Sequence, residues 1–171
     1  MSVLDDITKI ERDEVVTYLD VTPSSSPTFE ILGIGITDYG ISYNPQVDTE
    51  KWIIERNARS DHKSNQKQGS VSQTAYKGDP VFEFVANGRD ALNYKTHILD
   101  IDAWADCDVQ GAFKATLSDG KVVVTNYMGE NATIEYDLYY DGDLTYGTVT
   151  FDVNNKPVFT PDSPTTNPTS L

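Results

Sequence analysis

Strict alternation of apolar and polar side chains limits this chain more than any other feature. Ile134, Tyr136, Leu138 and Tyr140 fall on one parity, with Glu135, Asp137 and Tyr139 between them. Val149, Phe151 and Val153 oppose Thr148, Thr150 and Asp152. Leu99 and Ile101 alternate with Asp100 and Asp102, and Phe113, Ala115 and Leu117 with Lys114 and Thr116. A period of two puts alternate side chains on opposite faces of a strand, so these runs predict strands with one buried and one wet face. Ser118-Asp119-Gly120 and Asp141-Gly142-Asp143 carry turn chemistry. They predict a hairpin, with Lys121 to Tyr127 as its second strand, inside an antiparallel meander. Aspartate supplies 19 of the 27 acids, and ten tyrosines add to the strand-leaning composition.

The first half follows the same rule less evenly. Val15, Thr17, Leu19 and Val21 share a face, and Thr22-Pro23-Ser24-Ser25-Ser26-Pro27 stops that strand. Phe29 to Ile36 reads as a second strand, loosened by Gly33 and Gly35, and Trp52-Ile53-Ile54 as a short buried run. One segment changes period. Asp79-Pro80 offers an N-cap followed by proline at the first helical position, and Phe82, Val85, Ala86 and Leu92 recur at helical spacing. The expectation is one short flanking helix near 80–90 on a mainly β (α+β) domain, an antiparallel sandwich or barrel. At 171 residues the chain suits one domain over 1–156. Within it, 58–76 reads as a long polar loop, and 157–171 as a flexible extended tail rich in Pro and Thr.

Thirteen bases against 27 acids give a formal charge of −14. Such a chain does not bind nucleic acid by neutralising phosphates. The charge is uneven: residues 1–50 carry −8, 51–95 carry +3 and 96–155 carry −9. A basic middle between acidic flanks suits a self-complementary subunit, one copy's basic segment meeting another's acidic surface. Lys51, Arg56, Arg59, Lys63, Lys67 and Lys77 are the candidate inter-subunit residues. The acidic start, MSVLDDITKIERDE, lacks the apolar core of a secretory signal, and no run is long and apolar enough to span a membrane.

Catalytic chemistry finds little support. A lone Cys107 between Asp106 and Asp108 excludes an internal disulfide and has its thiolate disfavoured. His62 and His97 have no nucleophile context: His62 reads as solvated in the polar loop, His97 as packing or capping in a strand. Asp100, Asp102, Asp106 and Asp108 fail the calcium-loop pattern at Trp104 and Ala105, so Asp100 and Asp102 read as the wet face of a strand. No enzyme, metal or cofactor is expected. Tyr136, Tyr139, Tyr140, Tyr146 and Trp104 could build a sugar platform, which makes a carbohydrate-binding β-sandwich module the alternative reading.

The string from Thr28 to Gly35, with Ile41-Ser-Tyr-Asn-Pro45 and Trp52 to Ala58, resembles the major tail protein (tail tube protein) of long-tailed bacteriophages of Gram-positive hosts. So does Thr74 to Val85, leading through Arg89 toward Ile98-Leu-Asp-Ile-Asp102. The resemblance covers roughly residues 14–153. It implies a tail-tube β fold with a flanking helix, and a virion protein made in the host cytoplasm. It also implies homohexameric rings stacked into a hollow tube around a tape-measure protein. Terminator and distal tail proteins would be further partners, and DNA would pass through the lumen without specific binding. The family brings no catalytic residue.

Overall fold

A computed structural model describes residues 8–163. The chain is mainly β and antiparallel, with one short α-helix among the described residues. The strands are β1 Val15–Asp20, β2 Phe29–Ile31, β3 Ile41–Ser42, β4 Pro45–Glu50, β5 Arg59–Asn65 and β6 Gln68–Thr74. After helix α1, Pro80–Asn87, come β7 Tyr94–Asp102, β8 Phe113–Tyr127, β9 Thr133–Phe151 and β10 Pro157–Pro161. Two compact units share the long strands β8 and β9. Among the described residues, one holds 8–32, His97–Asp119 and 142–163; the other holds Gly33–Thr96 and Gly120–Asp141.

In the first unit the strand order is β2-β1-β7-β8-β9, with β10 on β9. Val15 to Leu19 pair in order with Asp102 to Ile98. Leu99, Ile101, Ala115 and Val149 form the core, with Tyr18, Phe29, Leu117 and Phe159 packed against it. Ile98, Leu99, Asp100 and Ile101 are consecutive and all buried, so this part of β7 is covered on both faces. Asp100 therefore departs from the expected wet face; its Oδ1 accepts a 2.6 Å hydrogen bond from the Thr17 hydroxyl, which makes its burial tolerable. Asp20, fully buried, accepts from the Thr22 and Thr28 backbone N–H at 2.9 and 3.0 Å and lies 2.7 Å from His97 Nδ1. His97 thus packs in its strand as expected.

The second unit pairs β8, β9, β6 and β3 in that order. Asp79 caps α1 through the Val81 N–H at 3.2 Å, with Pro80 next, and the helix stops at Gly88, within the expected 80–90. Val81, Phe82, Phe84, Val85 and Ala86 are buried, which at about 1.5–3 kcal/mol for each large side chain makes the helix a core element. Tyr94 stacks on Phe84 at 4.7 Å, and a Cβ at Gly88 would lie 1.9 Å from the Tyr94 ring. Buried Gln73 joins Asp79 Oδ2 at 2.6 Å, the Ile34 carbonyl at 2.9 Å and the Tyr136 hydroxyl at 3.0 Å.

Several expectations need correction. Residues 58–76 are not a loop: β5 and β6 occupy them. β5 has no apolar residue, so no alternation could reveal it, and in β6 the buried positions are Gly69, Val71 and Gln73. Gly69 is required by the Tyr39 ring, 2.5 Å from where its Cβ would stand. The turns at 118–120 and 141–143 do not form, because β8 and β9 run straight through. Ser118 and Gly120 are buried in the ladder, while Gly142 absorbs the irregularity at φ +67°. β2 ends at Ile31, and Gly35 turns the chain at φ +74°. Leu92 lies past the helix end and is exposed. The tail begins as strand β10, whose terminal prolines are compatible with an outer strand; the rest of the expected flexible tail, 164–171, lies outside the described residues.

Candidate functional site

β4 and β5 pair only with each other, from Pro45↔Asn65 to Glu50↔Arg59, with a register shift at Gln46/Val47. Every residue of both strands is exposed. A two-stranded ribbon with neither face covered is marginal in water. This one also sets Asp48 directly across from Asp61, a repulsive pairing. At its base the Gln66 N–H donates to the Tyr43 carbonyl at 2.9 Å, and Asn44 Nδ2 to the Gln66 carbonyl at 3.2 Å. The ribbon is an arm, held at its root and bare along its length.

The tip of the arm inverts the sequence reading of Trp52-Ile53-Ile54. Trp52 is 52 % exposed, Ile54 85 %, and Ile53 is fully exposed. Among the described residues no strand or helix packs beside this hairpin loop, so its hydrophobicity does not translate into burial. The tip is nonetheless ordered. The Glu55 N–H donates to the Trp52 carbonyl at 2.9 Å, while Glu55 Oε2 accepts from the Trp52 N–H at 3.2 Å. Arg59 pairs with Glu55 and lies 4.5 Å over the Trp52 ring.

Four of the six candidate cations lie on this arm. Lys51 and Arg56 flank the apolar tip, and neither is in an ion pair among the described residues. Arg59 and Lys63 are already neutralised, by Glu55 and by Asp61. Lys67 sits beyond the arm, 4.4 Å from the Tyr140 ring and 5.4 Å from Tyr43, and Lys77 lies in the turn before α1. Across residues 45–65 Asp48, Glu50, Glu55 and Asp61 balance Lys51, Arg56, Arg59 and Lys63, so the formal −14 resides on the rest of the chain. The arm is thus neutral overall, and at its end Lys51 and Arg56 are in no ion pair among the described residues. His62, in β5, is exposed as expected, with Nε2 2.7 Å from Asn65 Oδ1.

A second feature escaped the sequence. In the first unit, the end of β7, the turn after it and the facing stretches of β8 and β9 surround a cavity of about 630 Å³. Trp104 and Tyr146 line it, 50 % and 62 % exposed, with Asp102, Asp108 and Asp162. Lys114, Thr116, Thr148 and Cys107 complete the polar wall. The Ala105 N–H donates to the Asp102 carbonyl at 3.2 Å, and the Asp162 N–H to the Tyr146 carbonyl at 2.9 Å, which fixes two of its sides. Among the described residues none of the three carboxylates is in an ion pair, and no cluster of His, Cys, Asp and Glu is arranged to hold a metal. The five-aromatic platform is not assembled: Tyr136 and Tyr140 are buried, and Trp104 and Tyr146 alone of the five reach this groove.

No helix among the described residues is long and apolar enough to cross a membrane. No family model matches this chain. No curated protein matches it either.

Proposed function

We propose that this chain is a non-catalytic structural subunit that polymerises with copies of itself into a hollow virion tail tube, an acidic conduit through which DNA passes. The observation that carries the reading is the arm: two strands bare on both faces, neutral overall, ending in Trp52, Ile53 and Ile54. Such surface is a liability in a solitary molecule and is accounted for when a neighbouring copy covers it. The acidity of the rest of the chain supports the conduit, since a wall that released counterions to phosphates would hold DNA back. The resemblance in the sequence supplies the ring, its sixfold count, and the tape-measure, terminator and distal partners. A carbohydrate-binding module is the second reading, favoured by Trp104 and Tyr146 on one groove with the Thr116 and Thr148 hydroxyls.

Negative-stain images of the concentrated protein test the first reading. Rings or hollow rods are expected; single particles at every ionic strength, even beside initiating tail proteins, would overturn it.

A further inference from the structure

We infer that the Trp104–Tyr146 groove of one copy is the acceptor for the arm tip of the next. The inference rests on the self-assembly reading and adds the partner surface. The tip offers three exposed apolar side chains beside Lys51 and Arg56, neither in an ion pair among the described residues, and Glu50, which accepts from Trp52 Nε1 at 3.3 Å. The groove offers two half-exposed aromatic rings among three carboxylates, Asp102, Asp108 and Asp162, none in an ion pair among the described residues, with Lys114 the one cation in its described lining. Apolar surface thus meets apolar surface, and unlike charges meet around it. Two grooves facing each other would bring carboxylates against carboxylates. Two tips would set Glu50, Glu55, Lys51, Arg56 and Arg59 of one against the same set of the other, a net positive charge on each side. Tip into groove is the pairing that satisfies both sets.

Its symmetry follows. Donor and acceptor are different surfaces, and every copy carries one of each. The contact is heterologous, so it repeats from copy to copy and closes or extends according to its rotation. The carboxylates contribute steering and register, and Ile53 and Ile54 contribute the burial.

The lone Cys107 on the groove wall gives a direct test. Ile54→Cys places a second thiol on the exposed tip without touching the core. Oxidised glutathione added to the assembled variant should link residue 54 of one copy to Cys107 of another. Because each copy has one donor and one acceptor, a non-reducing gel should show a ladder well beyond dimer. Peptide mapping should find the 54–107 link, and Ile54→Cys with Cys107→Ser should lose the ladder. In parallel, Asp102→Lys with Asp108→Lys should raise the concentration needed for assembly about tenfold. Lys51→Asp with Arg56→Asp, mixed with that groove variant, should bring it part of the way back.

If rods form but give no link, or only 54–54 dimers, the groove is the wrong acceptor and the self-assembly reading stands. If nothing assembles under any condition, both fall together. If Trp104→Ala leaves assembly unchanged and abolishes binding to an oligosaccharide array that the parent protein binds, the groove is a sugar site and the inference is overturned.

Discussion

At the scale of single residues, two buried carboxylates do opposite things. Asp20 is fully buried and answers two backbone N–H groups and His97, holding the turn after β1 against β7. Asp20→Ala strands those donors and should cost about 3 kcal/mol or more, read as a lower urea midpoint, with Asp20→Asn losing less. Asp79 is held differently. Desolvation pushes its carboxyl above its ordinary 3.8, against the pull of the Val81 and Phe82 N–H groups and the Gln73 amide. A folded value above the unfolded one means that this group favours folding fully at pH below 3.8, and the gain is lost as pH rises through the folded value. Asp79→Asn keeps the cap and removes the titration. Melting temperatures of parent and variant should therefore differ most in the parent's favour at low pH and converge or cross as pH rises.

At the scale of elements, the alternation was informative wherever one face is buried and the partner strand is apolar. It located β1, the apolar positions of β7, Ala115 in β8 and Ile134 to Tyr140 with Val149 in β9, but Phe113 and Phe151 are exposed and Val153 lies past the end of β9, fully exposed. Asp79-Pro80 located α1 to within a few residues. It failed where burial is carried by other means. Gly69 and Gln73 of β6 are buried because Tyr39 lies on the one and a hydrogen-bonded network holds the other, and neither advertises itself as apolar. The turn signals at 118–120 and 141–143 were overridden because local preference is weaker than a continuous ladder. The candidate cations were legible as charge, but their pairing was not, and the groove could not be seen because it joins residues as distant as Asp102 and Asp162. Close backbone approach gives another testable point. A Cβ at Gly147 would stand 2.3 Å from the Thr160 carbonyl oxygen, a backbone atom of β10 that cannot swing away. Gly147→Ala should destabilise the chain by about 1–3 kcal/mol and release β10, visible as faster amide exchange over Pro157–Pro161.

At the scale of the molecule, charge is unevenly spread. The arm is neutral and greasy at its end, and the remaining surface carries the acid. Duplex DNA should show no retardation by the protein even at low salt, where any phosphate contact is strongest; a salt-sensitive shift would contradict the conduit. Self-association through the arm is the central claim, and sedimentation velocity on the parent beside Ile53→Ser/Ile54→Ser tests it most directly. The parent should sediment as species that grow with concentration, and the variant should remain a single chain with an unchanged melting temperature. Equal sedimentation of the two, whether both assemble or both stay single, would contradict it.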